Sequence, residues 1–139
     1  MKGIKLVLGL LAVGAFAAGC AQQTTKPSAG KGLQMIHFDF DRADIKPEFE
    51  PVLKGNADWL KKNAGTKIAV EGHCDERGTN EYNIALGDRR ARSAKKYLVN
   101  SGVSSDRMST VSYGEEKPMA TCHDESCWWQ NRKADFVKK

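Results

Sequence analysis

The spacing of apolar residues changes repeatedly after residue 33, and this alternation limits the chain to one class of fold. Apolar residues follow a short, strand-like spacing in residues 33–40 and 67–71, and a helical spacing in residues 49–60 and 81–100. The alternation continues to the C-terminus, with a strand, a short helix and a last strand predicted at 107–113, 125–132 and 134–137. Strands that alternate with helices predict an α/β fold, a two-layer sandwich in which a small mixed sheet carries its helices on one face.

The N-terminal segment differs in character from the rest of the chain. A basic start precedes 13 uncharged, mostly apolar residues at 6–18. This length is typical of a secretory signal and is short of the roughly 20 residues that a membrane-spanning helix needs. Small residues then stand directly before Cys20, whose thiol can carry a diacylglycerol. We predict a lipoprotein signal peptide at residues 1–19 with Cys20 as the lipidated residue. The alternative is a plain secretory signal, which would leave Cys20 as an ordinary thiol.

The residues that follow predict a flexible tether. Residues 20–32 are polar and small, contain Gly and Pro, and show no apolar period, which is typical of disordered chain. Fully extended, a segment of this length reaches about 40 Å. Ala21, rather than an Asp, follows the cysteine. Because this resembles the enterobacterial pattern for sorting to the outer membrane, we expect a lipid anchor there, with the folded domain facing the periplasm.

Size and charge argue against several other classes of protein. The 139 residues, 40% apolar and 28% charged, suffice for one core, so residues 33–139 are predicted to form a single domain. Removal of the signal peptide would lower the net charge from +5 to +3, because Lys2 and Lys5 leave with it. Basic and acidic residues alternate, so nucleic acid is not expected as a partner. No glycine-rich phosphate loop follows a predicted strand, and no cofactor is expected.

A polar loop and the helix after it carry the residues best suited to bind a ligand. Asp75 lies in the loop at 72–79, and Asn83 and Arg90 are seven residues apart in the next helix. Two helical turns place Asn83 and Arg90 on one side of the helix, about 10 Å apart along its axis. Asp75 and Arg90 can therefore border one concave site and hold the ammonium and the carboxylate of a free amino-acid terminus. A structural salt bridge or solvated charges are the alternatives.

The sequence around these residues contains a long, ordered series of motifs. It includes Phe-Asp-Phe-Asp at 38–41, Val-Glu-Gly-His at 70–73, Asp-Glu-Arg-Gly-Thr at 75–79, Glu-Tyr-Asn-Ile at 81–84, Arg-Arg-Ala at 89–91, Val-Ser-Tyr-Gly at 111–114, Glu-Lys-Pro at 116–118 and Asn-Arg at 131–132. The series resembles the OmpA-like peptidoglycan-binding domain, and within it the peptidoglycan-associated lipoproteins, over residues 36–133. Cys74, Lys133 and the segment 121–129 depart from the usual pattern of that family.

The resemblance implies a ligand and a role for each candidate residue. The ligand would be the stem peptide of peptidoglycan, recognised mainly through its meso-diaminopimelate residue. Asp75 would bind the ammonium group, Arg90 would bind the carboxylate, and Asn83 would hydrogen-bond near them. Asp41 and Asp44 would line the rim beside the first strand. The alternative is that these two aspartates only cap turns and the first helix.

The resemblance also implies a function and its partners. The protein would not be an enzyme. It would join the outer membrane to peptidoglycan non-covalently, as part of the Tol–Pal envelope system, with TolB as a periplasmic partner and TolA as a further candidate. Its role would lie in envelope integrity and cell division. A wall amidase or hydrolase is one alternative, but no activated nucleophile or metal-bound water is evident in the sequence. A wall anchor of another envelope machine, such as a motor or a secretion system, is the other.

Three cysteines remain besides Cys20, and a periplasmic address permits disulfides. Cys122 and Cys127 can bridge if Cys122 lies in the loop before the last helix, because a separation of about 7.5 Å along one helix would be too long. A metal site that combines them with Cys74 and the histidines is conceivable, but the spacings match no common zinc pattern and no metal is expected. His73, at the end of a strand, is expected to be a satisfied structural hydrogen bonder.

Overall fold

The computed structural model describes residues 32–139. The predicted signal peptide, the lipidation site at Cys20 and the tether up to residue 31 lie outside the described residues. Within the described part the elements are β1 (Ile36–His37), a 3-10 turn (Pro47–Phe49), α1 (Glu50–Lys62), β2 (Ile68–His73), α2 (Asn80–Asn100), a second 3-10 turn (Ser105–Arg107), β3 (Met108–Gly114), α3 (Glu125–Asn131) and β4 (Lys133–Lys138).

The four strands form one mixed sheet in the order β1-β4-β2-β3. β2 runs parallel to β3, and α2 forms the crossover between them. β4 runs antiparallel to both β1 and β2, so the last strand of the chain lies between the first and the second. The predicted α/β class and the mixed character of the sheet are confirmed.

The first strand is much shorter than the prediction of residues 33–40, which was wrong in extent. Only Ile36 and His37 pair with β4, and Phe38 adds one hydrogen bond, from its N–H to the carbonyl of Arg132 at 2.9 Å. Asp41 then adopts a φ of 56°. This left-handed conformation turns the chain out of the sheet, since a strand requires extended backbone.

The hydrophobic core lies between the sheet and the first two helices. Alternate strand residues, such as Ile68 and Val70 of β2, pack against the apolar side of α1 and against Ala91, Ala94 and Leu98 of α2. These positions repeat every two residues in the strands and every 3.6 residues in the helices, as the apolar pattern of the sequence does. No helix in residues 32–139 is both long enough and apolar enough to span a membrane.

A pair of glycines brings α2 unusually close to β2. A Cβ atom built on Gly72 would lie 1.7 Å from the carbonyl oxygen of Gly87. A Cβ built on Gly87 would lie 2.2 Å from the hydroxyl of Ser112 in β3. Glycine at both positions therefore lets the backbone of the helix rest on the sheet. This contact places the first half of α2 beside the polar loop that follows β2.

Candidate ligand-binding site

A cleft of about 210 Å³ opens between the turn after β1, the loop after β2 and the first half of α2. Four of the five residues that the sequence suggested for ligand binding line it, namely Asp41, Asp75, Asn83 and Arg90. Asp44 is not among the lining residues. The cleft also contains residues to which the sequence reasoning assigned no role, chiefly Phe40, Arg77 and Tyr82.

Arg90 is completely buried and holds three separate segments together. Its Nε donates to the carbonyl of Arg42 at 2.8 Å, Nη1 to that of His73 at 2.8 Å, and Nη2 to that of Asp39 at 3.0 Å. A guanidinium has five N–H groups. One N–H of Nη1 and one N–H of Nη2 therefore make no hydrogen bond to these three carbonyls. Arg90 thus fixes the turn after β1 and the end of β2 against α2, and it does not form a salt bridge with Asp75.

Asp75 is also buried, and its charge is matched by two other arginines. The carboxylate accepts hydrogen bonds from Nε and Nη2 of Arg77 at 3.0 and 2.8 Å, from the backbone N–H of Arg77 at 3.1 Å, and from Nη1 of Arg132 at 3.3 Å. Burial alone would raise the pKa of Asp75, but the hydrogen bonds from both arginines outweigh it and hold the pKa below its usual range. A ligand therefore meets an ionised carboxylate.

Arg77 is held flat between two aromatic rings at the mouth of the cleft. Its guanidinium carbon lies 3.8 Å from the ring centre of Phe40 and 4.1 Å from that of Trp128 in α3. Planar guanidinium groups stack well on aromatic faces. One terminal nitrogen also lies 3.9 Å from the carboxylate of Glu125. A stacked, partly exposed guanidinium thus stands directly in front of Asp75.

Asn83 supports the loop rather than projecting from it. Its side-chain nitrogen donates to the carbonyls of Asp75 and Arg77 at 3.3 and 3.1 Å, and contacts the carboxylate of Glu115 at 3.4 Å. Thr79 begins α2 by accepting a hydrogen bond from the N–H three residues later, at 3.2 Å. The loop between β2 and α2 is therefore tied to the helix at both ends.

The two remaining aspartates lie in different settings. Asp41 accepts a hydrogen bond from the hydroxyl of Tyr82, so these two side chains close one side of the cleft. Asp44 is exposed and accepts a hydrogen bond from Nε of its neighbour Arg42 at 2.7 Å. Only Asp41 of this pair is placed to touch a ligand in the cleft.

The fold and the residues around the cleft are shared with known proteins. The model of the OmpA family matches residues 37–132, a range that includes every residue of the cleft. The chain belongs to the OmpA family. A peptidoglycan-associated lipoprotein of Mesorhizobium japonicum is 47% identical over 127 residues, which cover 91% of this chain and 73% of that protein. One from Rhizobium meliloti is 43% identical over 140 residues, which cover 86% and 80%.

A solved structure supports the same grouping. The crystal structure of the peptidoglycan-associated lipoprotein from Burkholderia pseudomallei aligns with a TM-score of 0.74 and 42% identity, over 76% of this chain and 90% of that one. Within the OmpA family, the chain therefore groups with the peptidoglycan-associated lipoproteins.

The cysteines of this OmpA-family domain occupy two environments. A disulfide joins Cys122, in the loop before α3, to Cys127 inside α3, with 5.5 Å between the two Cα atoms. Cys74 is a buried free thiol that donates to the backbone carbonyl of Asn83 at 3.2 Å. Burial raises its pKa to about 11, so this thiol is unreactive at neutral pH. Within residues 32–139, no three His, Cys, Asp or Glu side chains are grouped to hold a metal ion.

His73 differs from the expectation of a satisfied hydrogen bonder, which was wrong. Neither ring nitrogen has a hydrogen-bond partner among the described residues. The ring stacks on Tyr113, with 5.4 Å between ring centres, and its Nε2 lies 3.8 Å from the carboxylate of Glu71. Burial, followed by the nearby charge of Lys133, lowers the pKa of His73 to about 4. The stacking position was not visible in the sequence, because it depends on the pairing of β2 with β3.

We expect the protein to lose stability as the pH falls from neutral, in part through His73. Its pKa is about 4 in the folded chain and 6.5 in the unfolded one, so below pH 6.5 the unfolded state binds the proton first. The resulting loss is about 2 kcal/mol of unfolding free energy between pH 7 and pH 5. Urea unfolding at both pH values measures it. The variant His73→Phe should show a loss about 2 kcal/mol smaller.

The comparison with the variant isolates this residue. Burial also lowers the pKa of His37, so the wild type should lose more stability than His73 alone explains. Asp75 does not contribute in this range, because its folded pKa lies below its usual value of 3.8. An equal pH dependence in wild type and His73→Phe would contradict the assignment of a depressed pKa to His73.

Proposed function

We propose that this protein binds peptidoglycan non-covalently through the cleft at Asp75 and joins the outer membrane to the wall through a lipid on Cys20. The observation that carries the proposal is the ionised, buried Asp75 in a cleft that Arg77 and Arg90 also line, in a chain that groups with peptidoglycan-associated lipoproteins. Its function is attachment, without turnover of a substrate.

The chemistry of the cleft suits the free end of meso-diaminopimelate in a stem peptide. That end carries an ammonium and a carboxylate on one carbon, and it therefore requires an anion beside a cation. Asp75 offers the anion, while Arg77 and Arg90 offer guanidinium groups that can bind a carboxylate through charge-assisted hydrogen bonds. The cavity of about 210 Å³ is smaller than a typical pocket for a drug-sized molecule. It thus suits the end of one side chain better than a sugar ring.

The contacts of the two arginines refine their proposed roles. Arg90 keeps its three carbonyl partners when a ligand binds, and it would offer the carboxylate an N–H that neither these carbonyls nor the thiol of Cys74 use. Arg77 is about a third exposed, with a side-chain exposure of 30%, and its hydrogen bonds occupy the Asp75 oxygens. The ligand ammonium would take over part of that contact, and Arg77 would turn within its own plane toward the ligand carboxylate while it stays stacked on Phe40 and Trp128.

The proposal includes protein partners. In the Tol–Pal system, TolB would contact the face that carries the cleft and would compete with peptidoglycan for it, and TolA would be a second partner. The protein would act in envelope integrity and cell division through these contacts. Retention of this protein on immobilised TolB, followed by its release with a soluble diaminopimelate peptide, would support the shared face. Simultaneous binding of both would refute it.

We expect Asp75→Asn to weaken binding to diaminopimelate-type sacculi by about ten- to a hundredfold, since one charge-assisted hydrogen bond contributes roughly 1.5–3 kcal/mol. Co-sedimentation of the purified protein with sacculi measures the effect. Asp88→Asn is the matched control, because it makes the same chemical change outside the cleft, where Asp88 is half-buried and, among residues 32–139, pairs with Arg92 alone. If wild type and Asp75→Asn sediment equally, the cleft is not the wall site. If wild type stays in solution, attachment to the wall is refuted.

A further inference from the structure

The disulfide lies next to the aromatic side of the cleft. Cys122 is exposed, and Cys127 is half-buried in the first turns of α3. α3 has only seven residues, a length at which a helix is not stable by itself in water. Its position therefore depends on its ties to the rest of the domain. The disulfide joins its first turns to the loop just before it, where Nδ1 of His123 contacts the carboxylate of Glu76 at 2.8 Å. Asn131 ties its end by accepting from the N–H groups of Met119 and Ala120 at 2.7 and 3.0 Å.

Two side chains of α3 reach the charged groups of the cleft. Trp128, which follows Cys127 directly, covers one face of the Arg77 guanidinium at 4.1 Å and donates from Nε1 to the carboxylate of Glu76 at 2.8 Å. Glu125 forms an ion pair with Arg132, which itself contacts Asp75. The position of α3 thus determines how firmly Arg77 and Arg132 are held at Asp75.

The disulfide is also open to reagents from solution. Cys122 lines a second cavity of about 190 Å³ that opens beside the first, together with Glu76 and His123. Cys74 lines both cavities, but it is buried, and its thiol is protonated at neutral pH because burial raises its pKa to about 11. Any reduction of the disulfide must therefore come from outside the domain.

We propose that the Cys122–Cys127 disulfide is a redox-sensitive support that sets the affinity of the cleft for its ligand. With the disulfide intact, α3 holds Trp128 against Arg77, and the guanidinium is ordered before the ligand arrives. After reduction α3 loosens, Arg77 loses one of its two aromatic partners, and binding must order it again at a cost in affinity. The inference rests on the proposed function, since it concerns the affinity of that same cleft.

The reductant is a dithiol, either a small molecule or a thiol–disulfide oxidoreductase. One of its thiolates attacks Sγ of Cys122, a mixed disulfide forms, and Cys127 leaves as a thiolate that takes up a proton. The second thiolate of the dithiol then attacks the other dithiol sulfur, the one bonded to Cys122 in the mixed disulfide. Cys122 leaves as a thiolate and takes up a proton to become a thiol. Two electrons pass from the dithiol, which becomes a disulfide, to the protein, which ends with two thiols.

The test is the affinity of the full-length protein in detergent for a synthetic stem peptide that ends in meso-diaminopimelate. It is measured by calorimetric titration before and after treatment with dithiothreitol. We expect reduction to weaken binding about five- to tenfold. One or two side chains that the disulfide kept ordered become mobile after reduction, and the ligand must order them again when it binds. Circular dichroism before and after reduction shows that the domain remains folded.

Two variants connect the effect to the disulfide and to Trp128. Cys122→Ser/Cys127→Ser should bind as weakly as the reduced wild type and should not respond to dithiothreitol. Trp128→Leu keeps the disulfide, yet it should bind equally weakly and lose most of its response to reduction.

The outcomes separate this inference from the proposed function. Unchanged or tighter binding by the folded, reduced wild type overturns the redox inference and leaves wall binding intact. A Trp128→Leu variant that binds like wild type also overturns it. Absence of binding in both redox states, with sacculi as well as with the peptide, refutes the proposed function itself.

Discussion

Replacement of Gly72 by alanine should destabilise the domain by about 4 kcal/mol or more, which is a large value for a single substitution. The new methyl group would lie 1.7 Å from the carbonyl oxygen of Gly87, and the obstacle is backbone, which cannot rotate away. To relieve the overlap, α2 must move off β2, and that movement would open the core around Leu98 and Ala91. Urea unfolding followed by circular dichroism measures the change.

A second glycine provides the control for this prediction. Gly55 lies on the exposed side of α1, and a Cβ atom there would meet nothing within 4 Å. Gly55→Ala should therefore stabilise the protein, by about 0.5–1 kcal/mol, because alanine favours the helix more than glycine does. If Gly72→Ala retained the stability of the wild type, the close contact between α2 and β2 would not be a constraint on the fold.

Arg90→Met should cost about 3 kcal/mol or more of unfolding free energy, even though methionine fills much of the same space. The substitution leaves the carbonyls of Asp39, Arg42 and His73 without their donor. Each buried carbonyl that loses a charged donor lowers the free energy of unfolding by roughly 1–3 kcal/mol, and partial access to water reduces the total loss. The thermal midpoint and the urea midpoint should fall together.

The control for this variant lies half a turn further along the same helix. Arg92 is exposed and, in the part of the chain that the structure describes, pairs with Asp88 alone, at 2.7 Å, so Arg92→Met should change stability by less than about 1 kcal/mol. Equal stability of Arg90→Met and Arg92→Met would contradict a structural role for Arg90. A large loss for Arg90→Met also means that its binding to sacculi must be compared at a temperature at which both variants are folded.

The sequence by itself determined the set of helices and strands and much of the cleft. Apolar spacing of two or 3.6 residues depends only on local backbone geometry, and it located every helix and strand of the described chain, although not its bounds. The same geometry placed Asn83 and Arg90 on one side of α2, and chain continuity placed Asp75 in the loop before that helix. These three residues do line one cleft.

The partners of these side chains were decided only by the tertiary structure. Asp75 contacts Arg132, 57 residues away, because β4 lies between β1 and β2 in the sheet. Arg90 binds the carbonyls of Asp39 and Arg42 because a left-handed turn at Asp41 folds that segment over α2. Local patterns carry no information on strand order or on which distant carbonyl a guanidinium will meet. Those contacts follow from packing one particular sheet against one particular pair of helices.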